Sequence, residues 1–182
     1  MKNSILDIYE ELLQQSLKVP KLVTLAAKKD AGFLVALNSW LMETEELLKK
    51  NRIAECAEIA ALRSKILSAR YNSEIAVNKK RKHILSIATG VISDAQNTLL
   101  SVLTPMKQRI DEARDSIRQL LGVAYQANMI NKSLDFNSLV QELWQIFSTH
   151  EQLKGLTSKI LVYVNKSDAL RILAEEIELN AD

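Results

Sequence analysis

Glycine and proline are scarce in this chain: four Gly and two Pro stand among 182 residues. Hairpins and the turns between strands and helices consume both residue types, so a fold rich in β-sheet is not expected. The abundant residues, chiefly Ala, Leu, Glu, Lys and Gln, are strong helix formers. The composition therefore predicts an all-α protein.

Cysteine is nearly absent, since Cys56 is the only one. No intrachain disulfide can form, which excludes a small secreted module stapled by disulfides. The first residues carry Asp7, Glu10 and Glu11 where a signal peptide needs an unbroken apolar core. These features predict a cytoplasmic protein.

Long apolar runs are missing too. A membrane-spanning helix needs about 18 or more consecutive apolar residues. The most apolar stretch, residues 84–103, is interrupted by Asp94, Gln96 and Asn97. No membrane span is therefore expected.

The side chains that form metal or catalytic sites do not cluster along the sequence. His83 and His150 are the only histidines, and neither has a metal-ligand partner three or four residues away. The glycines stand singly, whereas a phosphate loop needs them close together. Carboxylate trios occur only in polar stretches of amphipathic helices, where a solvated helix face is the expected role: Glu43/Glu45/Glu46, Asp111/Glu112/Asp115 and Glu175/Glu176/Glu178. We expect no metal, no cofactor and no enzymatic activity.

Apolar residues recur at alternating spacings of three and four between residues 59 and 124. This rhythm is typical of a coiled-coil seam or a long antiparallel bundle. It predicts an elongated multi-helix bundle with a long antiparallel coiled-coil-like helical hairpin. Residues 1–182 are expected to form a single all-helical domain, with a small C-terminal helical subdomain over 131–182 as an alternative. Trp40 and Trp144 fall on apolar helix faces and are expected to anchor the core.

Capping residues and helix breakers predict the helix boundaries. Thr104 and Pro105 form an N-cap and first-turn pair, so the hairpin is expected to break near Thr104. Gly90 is an alternative break, and whether residues 52–103 form one helix or two stays open. Residues 160–164 favour helix over strand. Further boundary residues are Asn3 or Ser4, Asp30, Asn137, Gly155, and Ser167 with Asp168.

The positive charge of the chain is concentrated in one third of it. Residues 51–83 hold eight Lys or Arg and three Asp or Glu, a net charge of +5, whereas the whole chain carries only +2. Arg52, Arg63, Arg70 and Arg81 are spaced so that one continuous helix would align them in a stripe. Their candidate roles are contacts to phosphate or to an acidic partner, made by Arg63, Arg70, Lys79, Lys80, Arg81 and Lys82.

Three interpretations of this basic segment stay open. It is either a solvated or partner-facing helix surface, a nucleic-acid contact, or a membrane-surface contact, in that order of preference. Glu55 and Glu74 stand near Arg52 and Arg70, where they would partly neutralise the stripe. Aromatic side chains for base stacking are sparse, with only Tyr71 nearby.

The sequence as a whole favours a non-enzymatic helical interaction protein: an adaptor, chaperone or scaffold subunit that acts through helix–helix contacts. Its apolar helix face is expected to bind a protein partner or a second copy of the chain, and a homo-oligomer is predicted. The alternative is a nucleic-acid-binding helical protein that uses residues 79–82 on the phosphate backbone.

Overall fold

The computed structural model describes residues 4–71, 77–131 and 133–179. Within these ranges the backbone forms eight α-helices and no β-strand, which confirms the predicted all-α multi-helix fold. None of the described helices combines the length and the apolar character needed to span a bilayer. The helices are α1 (Ile5–Leu17), α2 (Val19–Ala27), α3 (Phe33–Lys50), α4 (Cys56–Tyr71), α5 (Val77–Gln126), α6 (Phe136–Thr149), α7 (Lys154–Tyr163) and α8 (Lys166–Leu179).

The chain divides into two compact units. The central unit comprises Ile8–Thr104, and the terminal unit comprises Met1–Asp7 together with Pro105–Asp182. Helices α1 and α5 cross the division, so each supplies residues to both units. The expected single domain over 1–182, and its alternative with a subdomain at 131–182, stay predictions.

The central unit has its core along α3. One face of this helix is apolar at spacings of three and four, and that face is buried: Phe33, Leu37, Trp40, Leu41 and Leu48. The Trp40 indole donates a hydrogen bond to the Gln15 carbonyl of α1 at 2.9 Å, which satisfies its polar group inside the core. Trp40 is 2% exposed, so its predicted role as a core anchor is confirmed.

Helix α4 and the first half of α5 run antiparallel. The Thr98 hydroxyl donates to the Glu58 carboxylate at 3.1 Å, and Lys65 lies 3.6 Å from Asp94. The contacting residue numbers therefore increase along α4 as they decrease along α5, which is the antiparallel arrangement that the predicted hairpin requires. The buried α5 positions in this half keep the predicted rhythm: Ala88, Val91, Ala95, Leu99 and Val102. Residues 72–76, which connect the two helices, lie outside the described ranges.

The terminal unit packs α6 and α8 with the second half of α5. Trp144 and Phe147 of α6 and Leu173 of α8 are buried, which confirms the predicted anchoring role of Trp144. Glu176 of α8 is only 2% exposed, and its carboxylate accepts two hydrogen bonds from Arg118 of α5 at 2.7 and 3.1 Å. The expectation that Glu176 lies on a solvated face is therefore wrong: it is a buried anion held by a guanidinium, a pairing that also raises the pKa of Arg118.

A buried aspartate accepts hydrogen bonds from the start of α1 within the terminal unit. Asp168 accepts the Ser4 hydroxyl at 2.6 Å and the Ile5 amide at 2.8 Å. Ser4 in turn accepts the Asp7 amide at 3.0 Å, so the predicted N-cap at Ser4 is confirmed. Asn3, the alternative cap, lies outside the described residues.

Helix α5 is continuous through Pro105, so the predicted break near Thr104 is wrong. The Thr104 hydroxyl donates to the Leu100 carbonyl at 2.7 Å, as a residue inside a helix does, and not as an N-cap. Pro105 removes one backbone hydrogen bond, but buried residues precede and follow it, including Leu103 and Ile110. Burial on both sides keeps the helix intact. Gly90 also lies inside α5.

Several other predicted boundaries are displaced. Asp135, not Asn137, caps α6 by accepting the Ser138 amide at 3.1 Å. Gly155 lies inside α7, because α6 ends earlier at Thr149. For α8 the Asn165 side chain accepts the Asp168 amide at 2.8 Å, so Ser167 and Asp168 lie in the first turn of the helix. The predicted helix over 160–164 is confirmed, with Tyr163 as its last residue.

We predict that Asp168→Ala lowers the free energy of unfolding by about 3 kcal/mol, because it leaves the buried Ile5 amide without its charged acceptor. The measurement is chemical denaturation followed by circular dichroism. Asp115→Ala is the control, since that exposed carboxylate makes only a 3.6 Å pair with Arg118 and its loss should leave stability nearly unchanged. Equal stability of the two variants would contradict the role assigned to Asp168.

Candidate functional site

The structure places the six predicted contact residues in different surroundings. Arg63 of α4 is partly buried, and its guanidinium lies 2.8 Å from the Glu45 carboxylate of α3. Arg70 is exposed in the last turn of α4, and Lys80 is half-buried near the start of α5. The Lys79 side chain lies outside what the structure describes. Only Arg81 and Lys82 come together at one surface feature, and their binding roles stay a prediction.

The predicted arginine stripe required one continuous helix that includes Arg52, and this requirement is not met. Arg52 lies in the turn between α3 and α4 with a backbone φ of 58°, four residues before α4 begins at Cys56. It has no carboxylate within ion-pair distance among the described residues, so the expected pairing with Glu55 does not form. Glu74, the expected partner of Arg70, lies outside the described ranges.

Arg81 and Lys82 border a groove between α2 and α5, here called the α2–α5 groove. Its first section has a volume of about 610 Å³ and is lined by Ala26, Lys29, Arg81, Lys82, Leu85, Ser86 and Thr89. Its second section has a volume of about 280 Å³ and is lined by Val23, Ala26, Ala27, Thr89, Ile92, Ser93 and Gln96. Ala26 and Thr89 line both sections, so the two sections adjoin within the central unit.

The side chains of α2 and α5 explain why a groove forms here. Ala26 and Ala27 of α2 face Ser86, Thr89 and Ser93 of α5, and these small residues cannot fill the space between two helix backbones. Larger apolar residues form the floor, with Ile92 buried and Leu85 half-buried, while Val23 is 50% exposed at the rim. The depression therefore has walls of small residues and an apolar floor.

The two ends of the groove differ in charge. Lys29, Arg81 and Lys82 line one end, which we call the basic end, whereas Val23, Ile92 and Gln96 at the other end are uncharged. No carboxylate of the described residues lies within ion-pair distance of the three cations. By contrast, Lys18 reaches Glu43 at 2.8 Å on another face of the same unit, an interaction that lowers the pKa of Glu43.

Lys29 reaches the basic end from a left-handed backbone conformation. The Lys29 amide bonds to the Ala26 carbonyl and the Asp30 amide to the Leu25 carbonyl, both at 3.0 Å, which closes a Schellman motif at the end of α2. Lys29 occupies the position of that motif that favours glycine, with φ 51°. The same motif ends α3 at Arg52 and α5 at Asn128, so non-glycine residues hold all three left-handed positions in the described chain.

Chemistry other than binding finds little support among the described residues. They contain no group of three or more His, Cys, Asp or Glu side chains positioned to hold a metal ion. Cys56 is a free, partly buried thiol at the start of α4. His83 is exposed on α5, and the His150 Nδ1 accepts the Gln152 amide at 3.3 Å. No nucleophile is paired with a base among these groups.

Sequence analysis identified Arg81 and Lys82 but missed the rest of the groove. Lys29 is separated from Arg81 by 52 positions and follows a short helix that carried no functional signal. Ala26, Thr89 and Ser93 are too ordinary to attract notice in a sequence. The only sequence signal near Lys29 was Asp30, a predicted boundary residue before the next helix.

We predict that Lys29→Gly and Arg52→Gly each raise the free energy of unfolding by about 0.5–1 kcal/mol, because each relieves a left-handed backbone at a non-glycine residue. Chemical denaturation measures both variants, and Lys28→Gly, at a right-handed position, is the control expected to lose stability. A loss of stability in Lys29→Gly would show that its side chain stabilises the fold more than its backbone strains it.

No protein-family model matches this chain, and no characterised protein or solved structure matches it either. What the α2–α5 groove can bind follows from its own residues. An apolar floor, small walls and a basic end are the features that any ligand must complement.

Proposed function

We propose that this protein is a non-enzymatic interaction protein that binds a helical segment of a partner protein in the α2–α5 groove. The observation that supports the proposal most strongly is the groove itself, an apolar depression between two helices with small residues on both walls. Helix-in-groove recognition uses this arrangement, because an amphipathic helix buries its apolar face between two existing helices.

The length of the groove suits a short helix. Along α5 the lining runs from Arg81 to Gln96, fifteen steps or about 22 Å at 1.5 Å per residue, whereas the opposite wall runs only from Val23 to Lys29, about 9 Å. A ligand helix of roughly 15 residues, or four turns, would cover the α5 wall and extend beyond the shorter wall. Small residues at the contact allow helix axes to approach to the short end of the usual 8–10 Å range.

A small-molecule site fits these observations less well. Such sites typically enclose most of the surface of their ligand. Here Ala27, Ser86, Thr89 and Ser93 are all exposed, so the groove is open to solvent along one side. A rod-shaped ligand can use an open groove because its other side is free to remain in water.

Nucleic-acid binding is the second candidate, and the three cations of the basic end favour it, since none of them has a carboxylate of the described residues within ion-pair distance. A phosphate backbone places charge at regular intervals, and its ligands spread their Lys and Arg along the whole contact. In the groove the cations gather at one end and the remaining length is neutral. Single-strand binding would also use aromatic stacking, but no aromatic residue lines either section.

The test is selection of helical peptides about 15 residues long, displayed on phage, against the full-length chain. We expect enriched peptides whose affinity falls by more than about tenfold for Thr89→Trp, because Thr89 lines both sections and an indole there fills the groove. Ser101→Trp is the matched control, at an exposed α5 position beyond the groove, and it should bind as the wild type does.

Two results would contradict the proposal: no enrichment over an unrelated helical protein, or enriched peptides that bind Thr89→Trp as tightly as the wild type. The homo-oligomer remains a prediction of its own. Sedimentation velocity of the wild type and Thr89→Trp tests it, and loss of self-association in Thr89→Trp alone would identify a second copy as an occupant of the groove.

A further inference from the structure

Several cations of the described residues pair with a carboxylate of another helix. Arg63 pairs with Glu45, Arg114 with Glu175 at 2.7 Å, and Lys50 with Glu11 at 3.3 Å. Lys29, Arg81 and Lys82 differ, because they converge on one cleft and no carboxylate of the described residues lies within ion-pair distance of them. The basic end therefore carries charge that no carboxylate of the described residues neutralises through an ion pair.

The first turn of α5, which precedes Arg81 and Lys82, contains no acidic residue. An acidic residue there would lie three or four positions before these cations and would partly neutralise them. The three cations at one end of the groove therefore favour a negatively charged occupant.

The conformation of Lys29 points in the same direction. A glycine at φ 51° would avoid backbone strain, yet the position holds a lysine whose side chain lines the basic end. Arg52 occupies the same kind of position without lining the groove, so a cation at a left-handed position is not specific to the basic end. The conformation accompanies the charge cluster and does not by itself define a site.

We infer that the helix bound in the α2–α5 groove is acidic at one end: two or three Asp or Glu residues, spaced three or four apart, lie against Lys29, Arg81 and Lys82. The remainder of its buried face is small and apolar and lies against Ala26, Thr89 and Ile92. This inference rests on the proposed function and names the chemistry of the partner.

Residues three and four apart share one face of a helix, so the acidic side chains of the ligand would reach the basic end together. The neutral section would contact only about the last two turns of the ligand. Charge complementarity of this kind fixes the register of the ligand and accelerates association more than it raises affinity. Because the contacts are partly exposed, they should weaken as added salt shortens the screening length below about 8 Å.

The peptide selection is repeated with Arg81→Gln/Lys82→Gln as bait, beside the wild type. Wild-type selections should enrich Asp and Glu at one end of the peptide, and the double variant should lose that enrichment while still selecting the apolar positions. Lys49→Gln/Lys154→Gln removes the same charge from exposed helix positions outside the groove and should enrich as the wild type does. For an enriched peptide, replacing its acidic residues with Gln should weaken binding to the wild type about tenfold and leave binding to the double variant unchanged.

The outcomes separate this inference from the proposed function. Peptides that depend on Thr89 but show no acidic enrichment would overturn the inference and leave helix docking intact. Absence of any peptide enrichment would overturn both. A single-stranded oligonucleotide about 15 nucleotides long is the competing ligand, and if it binds more tightly than the best peptide and loses affinity in Arg81→Gln/Lys82→Gln, the basic end is a phosphate site and the inference is wrong.

Discussion

The continuity of α5 is the constraint on which the rest of the structure depends. This helix of 50 residues supplies buried side chains to both compact units, so an interruption of the helix would remove side chains from the core of each unit. The three-and-four spacing of its apolar residues keeps one stripe buried from Ala88 to Ala124. Pro105 interrupts the hydrogen bonds of the helix but not this stripe. Tertiary burial therefore outweighs a local helix-breaking signal, as is common when a long helix forms the core.

Helix class and core could be predicted from the sequence because both follow from the spacing of apolar residues. The buried positions of α5, the two tryptophans and the helical state of residues 160–163 were all accessible in that way. The ends of the helices were not. Pro105, Gly155 and Gly90 are breakers by composition, yet each lies inside a helix, whereas three helices end in left-handed turns at Lys29, Arg52 and Asn128. At these three described helix ends no glycine occupies the left-handed position, so the usual stop signal was missing.

The candidate site was accessible only in part. A run of cations is visible in any sequence, but whether each one is paired depends on the helix opposite. Arg63 of α4 forms an ion pair with Glu45 of α3, whereas no carboxylate of the described residues lies within ion-pair distance of Arg81. The groove depends on Ala26 lying opposite Thr89, a juxtaposition set by the antiparallel packing of α2 against α5. Local patterns in the sequence do not contain this information, since it arises from tertiary packing.

The hydrogen bonds from Ser4 and Ile5 to Asp168 have a consequence for the order of folding. Their partners are separated by more than 160 residues, so the contact closes one of the longest loops in the chain. During synthesis the first turn of α1 emerges long before Asp168, and the helices of the central unit are complete in between. The central unit can consequently begin to pack on the ribosome, whereas the terminal unit must await α8. Until α8 is synthesised, α1 would then pack only through its residues in the central unit, and the hydrogen bonds at its first turn would form last.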